Sequence, residues 1–268
     1  MDVGSLFTGI GGLDLGFERE GFNIRWQVEN NPYCQQLLKR HFPNAEIYGD
    51  IRSIDFRQLP SVDILIGGFP CQPHSTAGKR KGSKDKRDLW PEFYRAICEI
   101  HPKIIVAENV PGILSSNHGR FFKGILSDLA KAGYDAEWFT LCASDFGAPH
   151  KRERVFIIAD SQSNRIQKAE QWNIPYFLTL SFSERLSFFA QESLQGELGF
   201  KDWQDIRSIA ELEGRPRIPK PLIRRGDDGL RTKLDNYLYK ERIQALGNAV
   251  VPQVAQFIAR EIKRVIEI

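Results

Sequence analysis

The sequence predicts an α/β fold, a doubly wound and mostly parallel sheet with a small separate insert. Three observations carry that reading. Short apolar runs alternate with helical patterns through the first two-thirds of the chain. The runs are continuously apolar, as strands covered on both faces must be. Near Asp160 the alternation stops and the composition changes.

Val3 to Phe7 reads as the first strand, followed by a Gly-rich turn and a helix from about Leu13. Ile24 to Glu29 reads as the second strand, and Pro32 opens a helix to about His41, its fixed φ suiting a first turn. Val62 to Ile66 is the third strand, closed by Gly67 and Gly68, and Ile104 to Ala107 is the fourth. Phe121, Phe122, Ile125, Leu126 and Leu129 share one face of a helix over 121–132. Tyr134 to Leu141 and Val155 to Ala159 read as later strands forming an antiparallel edge. The stretch 160–242 is rich in Ser and Gln, with several prolines and scattered aromatics. After Pro252, residues Val254, Phe257, Ile258, Ile262, Val265 and Ile266 line one face of a helix that must pack on something, the main sheet being the expected support. The expected division is therefore 1–159 plus 243–268 as one domain and 160–242 as a second, smaller one.

Composition narrows the class. At 41% hydrophobic and 26% charged, the chain is an ordinary globular one, long enough for a sizeable core. A net charge of +3 is too mild to argue for nucleic acid by itself. Cys34, Cys71, Cys98 and Cys142 are scattered and form no disulfide framework, which fits a reducing, cytoplasmic setting. Cys71-x-x-His74 resembles half a zinc site, but no second half stands at usable spacing, so no metal is expected. The first residues, Met1-Asp2-Val3-Gly4, show no secretory pattern, and the apolar runs are too short to span a bilayer.

Two segments carry chemistry. Gly67-Gly68-Phe69-Pro70-Cys71-Gln72-Pro73-His74-Ser75 sets a cysteine on a proline-stiffened loop just past a buried strand, where open α/β sheets bind ligands. Thiolate is a strong nucleophile even when a minor species, although a lone cysteine is more often a buried structural one. Ser5-Leu6-Phe7-Thr8-Gly9-Ile10-Gly11-Gly12 follows the first strand, with glycines that let backbone approach a ligand. Glu29, at the end of strand two, stands where an acidic residue takes ribose hydroxyls. The pattern departs from the dinucleotide fingerprint and no phosphate-binding lysine follows, so a nucleoside cofactor without pyrophosphate fits better than NAD. Asp50, in Gly49-Asp50-Ile51, is placed to reach an adenine amino group.

In this order the residues resemble the cytosine-5 DNA methyltransferases of bacteria and phages. Phe7-x-Gly9-x-Gly11-Gly12 is similar to the family's first cofactor motif, and Glu29 and Asp50-Ile51 to its next cofactor contacts. Pro70-Cys71-Gln72, with Ser75 and Gly78-Lys79, resembles the nucleophile motif, and Glu108-Asn109-Val110 the Glu-Asn-Val motif. Phe146-Gly147-x-Pro149-x-x-Arg152-x-Arg154-Val155 resembles the arginine motif, and Gly247-Asn248-Ala249-Val250-Val251-Pro252 the last one. The chain departs at His150, where the family usually has Gln, and at His74, where it usually has an aromatic. The arginine block that normally closes the recognition domain is replaced by Arg224-Arg225-Gly226-Asp227-Asp228-Gly229-Leu230.

The resemblance implies a Rossmann-like S-adenosylmethionine-dependent methyltransferase sheet with a small target-recognition insert at 160–242. It implies Cys71 as nucleophile on cytosine C6 and Glu108 as acid at N3, with Arg152 and Arg154 contacting O2 and neighbouring carboxylates. S-adenosyl-L-methionine would lie against Phe7, Gly9, Gly11, Gly12, Glu29, Asp50, Ile51, Pro70, Asn248 and Val250. Double-stranded DNA, its target base flipped out, would meet Gln72, Ser75, Lys79, Arg80, Arg224 and Arg225. The loop from Ser75 to Arg87 is basic, as a segment closing over phosphates would be, though a solvated charge run looks the same. A cognate restriction endonuclease and a monomeric state are the expected context. Three alternatives stay open: a tRNA-directed relative, whose usual Cys-Phe-Thr element is absent; an inactive DNA-binding relative, which would not need Cys71, Glu108 and Arg154; and an NAD-type enzyme, which would not need the Cys71 loop.

Overall fold

A computed structural model of the chain describes residues 1–70, 88–146, 148, 150–161 and 247–266. Among these, seven strands form one sheet in the order β3-β2-β1-β4-β5-β7-β6. The strands are β1 (Asp2–Leu6), β2 (Asn23–Val28), β3 (Glu46–Tyr48), β4 (Ile64–Gly68), β5 (Ile104–Asn109), β6 (Tyr134–Cys142) and β7 (Glu153–Ser161). The first five pair parallel, while β7 runs antiparallel to both β5 and β6 and makes the expected antiparallel edge. The order reverses at β1 and β4, which opens a crevice at the carboxyl ends of the parallel strands.

Side chains of the central strands alternate between two cores, as the two-residue period of a strand requires. Val3, Ile64, Ile66, Ile104, Val106, Phe156 and Ile158 face one side, against α1 (Gly12–Arg19), α2 (Pro32–His41) and α6 (Pro252–Ile266). Leu6, Leu65, Ile105, Ala107 and Ile157 face the other, against α3 (Trp90–Ile100) and α5 (Arg120–Lys131), with the short α4 (Gly112–Ser115) nearby. Burial on both faces explains why these strands carry so few polar residues.

The tail helix belongs to the first layer. A Cβ on Gly16 would stand 2.4 Å from the Ala255 Cβ, so α1 and α6 touch almost backbone to backbone. Glu20, at the end of α1, accepts from Gln256 Nε2 at 2.8 Å and Arg260 Nη2 at 3.0 Å. No described helix is long and apolar enough to cross a membrane.

The sequence missed α3, α4 and β3. α3 starts at Trp90 and turns Trp90, Phe93, Ala96 and Ile97 inward, the spacing of an amphipathic helix. β3 is three residues long at the sheet edge and too short for a periodic signal. Two strand ends also differ. β4 includes Gly67 and Gly68, which pair with Ala107 and Glu108 rather than closing the strand. β1 stops at Leu6, because Phe7 turns to a φ of 53°. The texture change expected at Asp160 falls at the end of β7, which runs to Ser161; most of 160–242 lies outside the described residues.

Candidate active site

The carboxyl ends of β1, β2, β4 and β5 surround a cavity of about 420 Å³. Its first wall is the turn after β1. Phe7 has left-handed backbone and packs on Phe93 of α3 at 6.3 Å. Gly9 has a φ of 61°, and no heavy atom lies within 4 Å of where its Cβ would stand, so ligand can reach its backbone. Gly11 caps α1 in left-handed conformation. Gly12 provides room instead: a Cβ there would meet the Val250 carbonyl oxygen at 2.2 Å. The first motif and the last are thus in close contact.

Glu29 follows β2 and spans the two turns beside it. Its Oε2 accepts the Gly9 N–H at 2.7 Å and its Oε1 the Asn31 N–H at 2.7 Å. Burial raises its pKa, and hydrogen bonds from the backbone at Asn31, Gly9 and Asn30 oppose the rise. Asn31 caps α2 by accepting from the N–H groups of Tyr33 and Cys34. Asp50 caps a 3-10 turn (Ile51–Ser53) and accepts from the Arg52 N–H at 3.0 Å. Ile51 is buried, and both residues line the cavity.

Glu108 closes the opposite end. It lies on β5 opposite Gly68, where a Cβ would come within 2.7 Å of Glu108 Oε2, so only glycine leaves the carboxylate room. Glu108 Oε1 pairs with Arg154 Nε at 2.9 Å. Burial raises the Glu108 pKa from 4.5 to about 7, against the charges of Arg154 and Arg152 and the hydrogen bond from Arg154. The group is therefore poised between its two protonation states near neutrality, as a proton donor should be. Asn109, the next residue, donates from Nδ2 to the Phe69 carbonyl at 3.0 Å, and its Oδ1 accepts the Val110 N–H at 2.9 Å. Phe69 also packs against Trp90 at 5.3 Å and Phe93 at 6.0 Å. The chain is thereby anchored two residues before Cys71.

Of the site residues read from sequence, Phe7, Gly9, Glu29, Asp50, Ile51, Pro70, Asn248, Val250, Glu108 and Arg154 line one cavity. Gly11 and Gly12 do not; they shape it from behind. Arg152 does not line the cavity, but its charge reaches Glu108. Its guanidinium donates to the Gly247 carbonyl at 2.9 Å and to the Ala249 carbonyl, and its φ is 34°. The carbonyls of Gly247 and Ala249 hold the guanidinium, so Arg152 also ties the last motif to the turn before β7. Cys71, Gln72, His74, Ser75, Lys79, Arg80, Arg224 and Arg225 lie outside the described residues. His150 is partly buried, with no hydrogen-bond partner at Nδ1 among the described residues. Among the described residues no cluster of His, Cys, Asp or Glu could hold a metal.

Sequence reading gave no role to Asp14. It is fully buried on the floor of the cavity, where Asp14 Oδ2 accepts from Ser5 Oγ at 3.0 Å and Oδ1 from Gln27 Nε2 at 2.7 Å. Thr8 Oγ1 extends the chain to Ser5 Oγ at 3.0 Å. Burial raises the Asp14 pKa to about 6, opposed by the bonds from Gln27 and Ser5. The available signal was the polar residues Ser5 and Gln27 next to the apolar ends of their strands, Leu6 and Val28, since buried polar groups need partners.

A family model described as C-5 cytosine-specific DNA methylase matches residues 1–208. Type II methyltransferase M.AquIA of Picosynechococcus sp. is 34% identical over 253 residues, covering 88% of this chain and 98% of that protein. Type II methyltransferase M.Bsp6I of Bacillus sp. is 36% identical over 193 residues, covering 70% of this chain and 60% of that protein. Among solved structures, a putative DNA modification methyltransferase encoded within an E. coli prophage superposes with a TM-score of 0.56 at 30% identity, over 64% of this chain and 50% of that one. The chain thus spans nearly the whole of one relative but only half to three-fifths of the other two. The sheet is the Rossmann-like methyltransferase sheet these proteins share.

Proposed function

The chain belongs to the C-5 cytosine-specific DNA methylase family, and on that footing we propose that it transfers a methyl group to C5 of a cytosine flipped out of duplex DNA. The observation that carries the proposal is the single cavity joining the Glu29 and Asp50 walls to Glu108 and Arg154. Its volume, about 420 Å³, lies within the range of roughly 300–1,000 Å³ usual for small-molecule sites.

The residues present fit S-adenosylmethionine. The Glu29 carboxylate is fixed by backbone donors at Gly9, Asn30 and Asn31, which leaves further acceptor capacity for ribose hydroxyls. Asp50 offers a carboxylate to an adenine amino group, and Gly9 offers open backbone. Bound there, S-adenosylmethionine would supply an electrophilic methyl group.

Cytosine C5 is a poor nucleophile until a group adds to C6. The Cys71 thiolate forms that S–C6 bond, and the ring's displaced electron density moves toward N3. Glu108, protonated in part near neutral pH, donates a proton at N3. Arg154 holds the Glu108 carboxyl in place and offers remaining donors to O2. Asn109 keeps Phe69 and the approach to Cys71 in register with Glu108. After methylation C5 loses its proton to water, N3 returns its proton to Glu108 and the Cys71–C6 bond breaks, which restores the thiolate, the acid and the aromatic ring.

The reading extends to context. Residues 160–242 choose the DNA sequence, with Arg224 and Arg225 among its contacts. Gln72, Ser75, Lys79 and Arg80 grip the flipped nucleotide and its phosphates. The chain acts as a cytoplasmic monomer in a restriction-modification or phage modification system, beside a cognate endonuclease. Bisulfite sequencing of DNA from cells expressing the chain tests the activity: cytosines protected at one short recurring sequence are expected. Conversion indistinguishable from that in cells without the chain would refute it.

A further inference from the structure

The cavity wall carrying Asp50 and Ile51 is irregular chain. Beyond β3 it continues as two 3-10 turns, Ile51–Ser53 and Phe56–Gln58. Such short turns are weak holders of position on their own. What grips them comes from α3, on the side away from the ligand. Arg95 Nη2 donates to the Ile51 carbonyl at 2.7 Å, and Nη1 to the Ile54 carbonyl at 2.8 Å. The guanidinium lies 5.0 Å from the centre of the Phe56 ring. Glu92 and Glu99, one turn before and after, pair with Arg95 at 2.8 Å and 3.2 Å and orient it. Glu99 Oε2 also accepts the Phe56 N–H at 3.0 Å.

We propose that Arg95 is a positioning residue for the cofactor's purine base. It does not line the cavity, yet it sets where Asp50 and Ile51 stand. The proposal rests on the S-adenosylmethionine reading of the site. The geometry requires arginine. Two carbonyls three residues apart are bridged by two nitrogens of one planar group, which also lies near an aromatic ring. A lysine keeps the charge but is a point donor and cannot hold both carbonyls with the same orientation. Without the bridge the Ile51 carbonyl, adjacent in the chain to Asp50, is free to turn, and the Asp50 carboxylate shifts with it.

Calorimetry of the full chain with S-adenosylhomocysteine and with S-inosylhomocysteine tests this. The second ligand replaces the adenine amino group by a carbonyl oxygen. Wild type is expected to favour the adenine ligand. Arg95→Lys should weaken that ligand by about tenfold, the worth of roughly one misplaced hydrogen bond, and shrink the preference between the two. It should also raise KM for the cofactor more than it lowers kcat. Asp50→Asn should shrink the same preference, and the double variant should add little to either single one, because both changes act on one contact. Should Arg95→Lys fail to fold, Glu99→Gln leaves one uncharged acceptor where Arg95 and the Phe56 N–H now share two carboxylate oxygens, which loosens the guanidinium, and the same readouts apply. Wild-type affinity and preference in Arg95→Lys would overturn the role of Arg95 alone. Equal losses for both ligands, additive with Asp50→Asn, would also overturn it, since general damage to the fold has that signature. Absence of binding to wild type would overturn the cofactor reading and the role of Arg95 together.

Discussion

Glu108→Gln should change how stability depends on pH, apart from what it does to catalysis. The Glu108 carboxyl titrates near 4.5 in the unfolded chain and at about 7 in the fold, because burial disfavours its charged form. Between those values the native state holds a proton that the unfolded chain has released, so stability falls as pH rises through the window. At about 1.4 kcal/mol per pH unit the full loss is on the order of 3 kcal/mol, most of which falls between pH 5 and pH 8. Gln cannot titrate and keeps the shape. Leaving Arg154 without its carboxylate has a cost of its own, but that cost is the same at both pH values and cancels in the comparison. Urea denaturation of wild type and variant at pH 5 and pH 8 reads the difference directly. The variant should improve relative to wild type by roughly 2–3 kcal/mol on going to the higher pH. Single-turnover methylation should be slower by about 10²–10⁴ in the same variant, the usual worth of a positioned acid. The wild-type rate should fall as pH rises through about 7. Stability curves that stay parallel between pH 5 and pH 8 would refute the buried, proton-sharing Glu108. An unchanged turnover would remove it from the acid role.

Glu29→Ala should weaken S-adenosylhomocysteine binding, measured by calorimetry, while the methylated DNA sequence stays the same; wild-type affinity would mean the ribose lies elsewhere. Gly68→Ala should fold but lose turnover, because its Cβ would stand 2.7 Å from Glu108 Oε2 and push the carboxyl aside; full activity would show that Glu108 tolerates displacement. Exchanging residues 160–242 for the corresponding stretch of a relative should change the methylated sequence, and an unchanged site would assign recognition to the loop after Ser75. Within that stretch, alanine at Arg224 or Arg225 should weaken binding to all sequences alike and reduce the salt slope by about one if the contact is to phosphate. Relaxation of a single position in the site would mean a base contact instead.

The central strands were legible because strands covered on both faces need unbroken apolar runs, and 62–66 and 104–107 have them. Their ends were not, because the residues there answer to the site. Gly67 and Gly68 look like a stop signal, yet they continue β4 where Glu108 and Phe93 leave no space for a side chain. Phe7 looks like strand, yet it turns left-handed at the cavity rim. Cavity-lining carboxylates were legible where an acidic residue ends or follows an apolar strand, as with Glu29 and Glu108. Residues that act by holding others were not. Asp14 passes for ordinary helix-start chemistry, Arg95 for one charge on a helix face, and the hold of Arg152 on the Gly247 and Ala249 carbonyls carries no local signal. Their tasks depend on contacts 9 to 97 positions away in the chain, which no local pattern reveals.

The central claim is that Cys71 attacks C6 of cytosine in duplex DNA, and a covalent trap tests it most directly. In a duplex carrying 5-fluorocytosine, C5 has no proton to lose after methylation, so the Cys71–C6 bond cannot break. Purified chain incubated with that duplex and S-adenosylmethionine should give a protein–DNA species that survives denaturing electrophoresis. The species should require the cofactor, and peptide mapping should find the DNA on Cys71. Cys71→Ser should bind S-adenosylhomocysteine as wild type does and form none. A duplex that is methylated when it carries ordinary cytosine, yet gives no denaturation-stable species when it carries 5-fluorocytosine, would contradict the account, as would an adduct that persists in Cys71→Ser.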